Sequence, residues 1–284
     1  MASLTLPSEL VSVDWLNQSI EHPDLIVLDA SFFMPGVERD GRLEWLDIRI
    51  PGAVFFDFHR DICLHSTSLP HMMPSSGDFQ KSAQKLGINQ NSVIVVYDSL
   101  GIFSSPRVWW MLKAMGAKQV AVLDGGLPAW IDKSFALESG AQSKSISVGN
   151  FIADYQDKMF CDVQQVLKNT QTNERIIIDA RSADRFSAKV PEPREGMRSG
   201  HMPNAKNLPF ASILSNKKMR EAYQLSVVFD AIAPKEHGVI FSCGSGVTAC
   251  ILALGATLAG YKDICVYDGS WAEWGGSVDL PIVS

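Results

Sequence analysis

The sequence predicts an α/β protein made of tandem duplicated domains, each a mainly parallel sheet flanked by helices on both faces. The first observation behind this is repetition. Ile26-Val-Leu-Asp-Ala30 returns as Ile176-Ile-Ile-Asp-Ala180, and Ile50-Pro-Gly-Ala53 returns as Met202-Pro-Asn-Ala205. The run from Val93 to Asp98 matches the one from Val239 to Cys243, and Leu123-Asp-Gly-Gly126 matches Tyr267-Asp-Gly-Ser270. From Asp29 to Asp179, Pro51 to Pro203, Asp98 to Cys243 and Asp124 to Asp268 the offsets are 150, 152, 145 and 144 residues. Four ordered matches at nearly one offset are the mark of a duplicated unit. The second observation is that short apolar runs alternate with helical patterns. The runs are continuous, not alternating, which suits strands buried on both faces of a parallel sheet.

The elements follow in order. Val93–Tyr97 reads as a strand, and the next stretch carries Val108, Trp109, Leu112 and Met115 on one helical face, with Gly116 closing it. In the second half Val239–Ser242 reads as a strand. Val247, Cys250, Ile251, Leu254 and Leu258 follow at helical spacing, and Gly260 closes that helix. Residues 137–158 are rich in Ser, Gly and Gln and weak in periodicity, as a linker would be. The expected layout is therefore a first domain over 8–136, a linker over 137–158 and a second domain over 159–284.

Composition narrows the function. A chain of 284 residues with 46% hydrophobic and 20% charged residues has the make-up of a globular protein. A formal net charge of −6 argues against a general nucleic-acid or anionic-membrane binder. Gly238–Tyr261 carries no charge, but Ser242, Gly244, Ser245 and Gly246 break it, so strand, turn and buried helix explain it better than a membrane span. The N-terminal stretch has no basic region before a continuous apolar core, and a cytoplasmic setting is expected. The five cysteines are odd in number and scattered, without zinc spacing, so neither a disulfide framework nor a metal site is expected. Cys250 and Cys265 read as packed thiols, and nothing around Cys63 or Cys161 suggests otherwise.

Cys243 is different. A strand delivers it into Gly244-Ser245-Gly246, just before a helix begins. Backbone N–H groups and a helix N-terminus stabilise a sulfur anion at such a place. A cysteine phosphatase would need Cys-x5-Arg to clamp the phosphoryl oxygens, but the sixth residue after Cys243 is Ala249. Sulfur transfer through a persulfide is the other chemistry of such a loop. Where the second half has Cys243 the first has Asp98, which cannot be a sulfur nucleophile, so the chemistry is expected in the second half.

The loop Cys243-Gly-Ser-Gly-Val-Thr-Ala249 resembles the active-site loop of the 3-mercaptopyruvate sulfurtransferases, in the rhodanese superfamily. Asp179-Ala-Arg181, Glu192-Pro-Arg194, Gly200-His-Met-Pro203, Tyr267-Asp-Gly-Ser-Trp271 and Ser105-Pro-Arg-Val-Trp-Trp110 support it, and the resemblance spans nearly the whole chain. It implies tandem rhodanese domains, the second one catalytic. It implies Cys243 as nucleophile, with Gly244, Ser245, Gly246, Val247 and Thr248 forming the loop around its sulfur. Arg185 and Arg194 match the family's arginines for the donor carboxylate and carbonyl; Arg181 and Arg198 lie close in sequence. Ser245 would hand protons to His71, in Pro70-His-Met-Met-Pro74, and on to an acid. Asp61 is the candidate acid, with His59 the other residue near the expected place and an incomplete relay the remaining alternative, because Phe56-Asp-Phe-His-Arg-Asp61 departs from the family pattern. Arg49 departs too, standing where a glycine-histidine pair is usual; His201 keeps that place in the second half.

The resemblance implies no metal or organic cofactor. It implies 3-mercaptopyruvate as donor, pyruvate as product, and a thiol such as thioredoxin, or cyanide, as acceptor. Thiosulfate-type relatives carry charged residues directly after the cysteine, whereas Gly244 and Ser245 are neutral. A thiosulfate:cyanide sulfurtransferase and a non-catalytic binding module stay open as alternatives.

Overall fold

Two five-stranded parallel sheets organise the computed structural model, which describes residues 3–142 and 146–284. Residues 143–145 of the expected linker lie outside the described residues. The first compact unit holds the chain up to Leu64, Met73–Gln156 and Asn216–Lys218; the second holds His65–Met72, Asp157–Ser215 and Met219–Ser284.

In the first unit the strands are β1 (Leu10–Val11), β2 (Leu25–Asp29), β3 (Val54–Phe55), β4 (Val93–Tyr97) and β5 (Gln119–Leu123), in the order β1-β5-β4-β2-β3. Helices α1 (Val13–Ser19), α2 (Gly41–Asp47), α3 (Ser76–Lys85), α4 (Ser105–Ala114) and α5 (Gly126–Asp132) connect and follow them. The β4 strand, Val-Ile-Val-Val-Tyr, is buried along its whole length, as a central strand covered on both faces must be. Residues 146–156, within the expected linker, are bound along this unit. Phe151 is buried, packs edge-on against Phe79 and donates its N–H to the Ile88 carbonyl.

The second unit repeats the plan. Its strands β6 (Phe160–Cys161), β7 (Arg175–Asp179) and β8 (Lys206–Asn207) precede a short hairpin of β9 (Leu214–Ser215) and β10 (Lys218–Met219). Then come β11 (Gly238–Ser242) and β12 (Ile264–Tyr267), and the sheet order is β6-β12-β11-β7-β8. Its helices are α6 (Val163–Thr172), α7 (Ala183–Phe186), α8 (Ala222–Asp230), α9 (Ala249–Leu258) and α10 (Ser270–Trp274). Strand for strand this is the order of the first sheet, so the sequence repeat is a structural repeat. The uncharged stretch Gly238–Tyr261 resolves into β11, a loop and the buried α9. Among the described residues no helix is long and apolar enough to cross a membrane.

Equivalent positions carry different chemistry. Asp179, at the end of β7, is fully buried and paired with Arg181 at 2.7 Å. Asp29, at the end of β2, is equally buried but has Ser31 in place of the arginine. It accepts the Ser31 N–H at 2.8 Å. Burial pushes its carboxyl up to about 6, against the opposing hydrogen bonds from Ser31 and Tyr97. A carboxyl whose folded value lies above its unfolded one favours the folded state most at low pH, and that contribution is lost as pH rises through the folded value. Asp29 should therefore cost about 1–2 kcal/mol of stability between about pH 5 and pH 7.5. Urea unfolding at the two pH values should show this loss in the parent protein and not in Asp29→Asn.

Candidate active site

Cys243 stands directly after β11, a central strand, at the carboxyl edge of the second sheet. Open α/β sheets place their ligand sites at that edge. The thiol is buried, 2% exposed, and so are Ser245, Gly246 and Val247, while Gly244 and Thr248 are partly exposed. The chain turns through Gly246 at φ +73°, a left-handed conformation that glycine adopts without strain. Helix α9 then begins at Ala249, with its N-terminal N–H groups toward the loop.

The turn between β12 and α10 holds this loop in place. The Ser270 hydroxyl accepts N–H groups from Cys243 at 3.2 Å and Gly246 at 3.1 Å, and donates to the Tyr267 carbonyl at 2.8 Å. Two residues of α10 complete the attachment: Trp271 and Ala272 donate to the carbonyls of Cys243 and Gly244, each at 2.9 Å. Ser270 does this at φ +49°, a strained setting for a residue with a Cβ. The equivalent residue of the first unit is Gly126, at φ +53°. Sequence reading missed Ser270 as a site residue. The signal was a serine standing where the repeat has a glycine.

The first unit shows what such a loop binds. Asp98, the counterpart of Cys243, turns its carboxylate into its own loop. One oxygen accepts the N–H groups of Leu100 and Gly101, each at 3.0 Å. The other accepts those of Phe103, Ser104 and Ser105 at 2.9–3.0 Å and the Ser105 hydroxyl at 2.6 Å. In the second unit, among the described residues, the N–H groups of Ser245, Val247, Thr248 and Ala249 have no protein acceptor.

Four arginines follow β7, and they divide into two pairs. Arg181 is buried and saturated: it holds Asp179, Glu192 at 2.8 Å and the Gly200 carbonyl at 2.8 Å, and lies 4.1 Å over the Trp271 ring. Arg198 donates to the carbonyls of Trp274, Ser277 and Leu280 and so closes the end of α10. Arg185 and Arg194 lie beside the thiol loop. A Cβ added to Gly244 would come within 3.3 Å of an Arg185 Nη, so glycine there is what lets the guanidinium approach. Arg194 is half-buried. Its guanidinium is held below the usual range by burial and by the nearby Arg185, against the opposing pull of Cys243 and Glu192. Glu192, whose side chain is 3% exposed, joins the groups: it receives Arg181 and accepts Arg185 at 2.5 Å. His201 stacks on Phe186 at 3.9 Å, and one ring nitrogen meets the Phe186 carbonyl at 2.9 Å, which steadies the short helix α7 that carries Arg185.

His71 is 3% exposed and sits at φ +63° in the segment His65–Met72, which belongs to the second unit together with Cys243 and Ser245. Asp61 belongs to the first unit. Its carboxylate is 62% exposed and is held by Arg42 at 2.6 Å. The buried acid of that segment is Asp57, which caps the turn through the N–H groups of His59 and Arg60.

The protein is thus a duplicated parallel α/β fold with a cysteine loop at the carboxyl edge of one sheet and arginines beside that loop. Residues 12–133 and 162–277 each match the rhodanese-like domain, and the chain belongs to the rhodanese family. It is 39% identical over 304 residues to thiosulfate/3-mercaptopyruvate sulfurtransferase 1, mitochondrial, of Arabidopsis thaliana, a match covering all of this chain and 80% of that protein. It is 38% identical over 274 residues to the 3-mercaptopyruvate sulfurtransferase of Escherichia coli K12, covering 96% of each. The crystal structure of SseA from Escherichia coli, a 3-mercaptopyruvate sulfotransferase, superposes with a TM-score of 0.84 at 36% identity, covering 93% of this chain and 99% of that one.

Removing the Ser270 hydroxyl takes an acceptor from the buried N–H groups of Cys243 and Gly246, so Ser270→Ala should destabilise the protein by about 1–3 kcal/mol in urea unfolding. Ser270→Gly should lose less, because glycine is spared the left-handed strain of about 1 kcal/mol that alanine retains.

Proposed function

We propose that the protein is a sulfurtransferase that takes sulfur from 3-mercaptopyruvate onto Cys243 and passes it to a thiol. The observation that carries this reading is the Asp98 carboxylate in the equivalent loop. A carboxylate oxygen and the outer sulfur of a cysteine persulfide both lie two atoms beyond Cβ. The six donors that Asp98 gathers are thus a template for the anion that Cys243–S–S⁻ would present to its own loop.

The steps follow from the groups at hand. Arg185 and Arg194 receive the carboxylate and carbonyl of the donor, since planar guanidinium groups suit planar oxygen pairs. The Cys243 thiolate attacks the donor's sulfur. The carbon–sulfur bond breaks, its electron pair goes to carbon, and the enolate of pyruvate leaves. Ser245, backed by His71, relays to the enolate the proton that the donor's sulfur gives up as Cys243–S–S⁻ forms, so that pyruvate leaves and the serine hydroxyl is restored. An acceptor thiolate, such as that of a thioredoxin-like dithiol, then attacks the outer sulfur and regenerates the Cys243 thiolate. Atoms and electrons balance at each step without a metal or organic cofactor. Asp61 is left out of the proton path, because Arg42 already binds its exposed carboxylate. Neutral Gly244 and Ser245 favour this donor over doubly charged thiosulfate.

Cys243→Ser should release no pyruvate from mercaptopyruvate, and mass spectrometry of the donor-treated parent should find one added sulfur on the Cys243 peptide. Pyruvate release by the serine variant would overturn the reading; a kcat/KM favouring thiosulfate would overturn the choice of donor. Arg185→Lys and Arg194→Lys should each lower kcat/KM for mercaptopyruvate roughly 10- to 100-fold, as expected for loss of one charge-assisted contact. Alkylation of Cys243 by a neutral reagent should be nearly unaffected.

A further inference from the structure

A second pair of thiols lies apart from the Cys243 loop. Cys161 on β6 and Cys265 on β12 occupy adjacent parallel strands of the second sheet. The register pairs Cys161 with Tyr267, so Cys265, two residues earlier, lies on the same face. Both are buried, at 8% and 3% exposure, yet both line a cavity of about 350 Å³ whose charged lining is Lys158, Lys168 and Arg175 with Asp157 and Glu174. The cavity gives a small reagent a way to the sulfurs that neither would have in a closed core.

Their surroundings favour an anion on Cys265. The Cys161 thiol acts as hydrogen-bond donor and, with Arg175, holds Cys265 below the usual thiol range, against burial and Asp263; Cys161 itself is raised by the same contact. Arg175 is fixed by its ion pair with Asp263. The repeat is an internal control. At the same sheet positions the first unit has Val11 and Ala121, both buried in its core, so packing alone does not call for sulfur at these places. Cys250, fully buried on α9, donates to the Gly246 carbonyl and has no part in this cavity.

We propose that Cys265 is an oxidant-sensitive thiolate with Cys161 as its resolving partner, forming a peroxide-responsive site separate from Cys243. The oxidant is a hydroperoxide. The Cys265 thiolate attacks one peroxide oxygen, the O–O bond breaks, and Cys265 becomes a sulfenic acid while the other oxygen leaves as hydroxide or alkoxide. Cys161 then attacks the sulfenic sulfur, the S–O bond breaks, and a disulfide and water form. β6 is a two-residue edge strand, bonded on one side only, so it is the element free to make the small shift a sulfur–sulfur bond requires.

The test is peptide mapping of the full chain after brief treatment with hydrogen peroxide. Trypsin separates the cysteines: Cys161 falls in 159–168, Cys265 in 263–284, and Cys243 with Cys250 in 236–262. Peptides 159–168 and 263–284 should become joined with loss of two hydrogens, and Cys265 should oxidise about tenfold faster than Cys250 or more. Cys161→Val, which installs the residue of the first unit, should abolish the disulfide; Cys265, without the Cys161 hydrogen bond, should oxidise more slowly than in the parent but still faster than Cys250, and stop at a sulfenic acid that dimedone traps. Cys265→Ala should leave Cys161 as slow as Cys250. Oxidation of Cys265 at the rate of Cys250 would overturn the proposal, and so would an unchanged product pattern in Cys161→Val. Neither readout depends on sulfur transfer at Cys243.

Discussion

The site depends on one hydroxyl group held in an unfavourable backbone conformation. Ser270 Oγ joins the N–H of Cys243, the N–H of Gly246 and the carbonyl of Tyr267, and so ties the end of β11, the turn of the thiol loop and the end of β12 to one atom. Without it the Cys243 loop would lose the acceptor that holds two of its N–H groups to the β12–α10 turn. Strain of this kind persists only where surrounding contacts over-determine it. Here three hydrogen bonds and the buried indoles of Trp271 and Trp274 supply them. The same loop in the first unit needs no such tie. The Asp98 carboxylate binds that loop from inside, and Gly126 relaxes the turn. A loop meant to receive an anion has to be held open from outside. A loop that carries its own anion is already closed.

The duplication makes comparisons within one chain that would otherwise need mutants. Asp98 against Cys243 distinguishes a filled cradle from one that can accept a ligand. Ser31 against Arg181 distinguishes a buried carboxyl that titrates near neutrality from one fixed by a guanidinium. Val11 and Ala121 against Cys161 and Cys265 distinguish an inert sheet edge from a reactive one. In each case the two positions are equivalent in the fold and the side chain sets the chemistry, although the Asp98 loop is one residue longer than the Cys243 loop.

Much of this was legible in the sequence. The ordered repeats gave both sheets, because parallel βα units write each strand as a continuous apolar run and each turn as a glycine-containing signature. Cys243 was legible because a strand end, a glycine turn and a helix start are local. Arg185 and Arg194 stood out only through the family motif, yet they are the two that lie by the loop. What was hidden depended on distant partners. Ser270 reaches Cys243 across 27 residues, and Glu192 matters because Arg181 and Arg185 converge on it. The segment His65–Met72 lies within the first repeat but belongs to the second unit, and no local pattern marks such an exchange. Cys161 and Cys265 looked like ordinary packed thiols, because only strand order and register place them side by side.

Glu192 decides how the arginines can serve a reaction. Guanidinium groups beside the thiol loop with no counter-charge would bind any anion tightly and let it go slowly. The Glu192 carboxylate pairs with Arg181 and Arg185 and is close enough to act on Arg194, so part of the positive charge is balanced before a donor arrives. Arg181 is consumed entirely by Asp179, Glu192 and Gly200, and it fixes the position of the glutamate. Arg185 keeps unfilled donor capacity toward Gly244, and Arg194 toward Cys243. For the donor proposed above, an incoming carboxylate would compete with a partner already present, and that competition would limit ground-state binding. In the proposed reaction, charge growing on the departing enolate would gain more from the same guanidinium groups than the bound donor does.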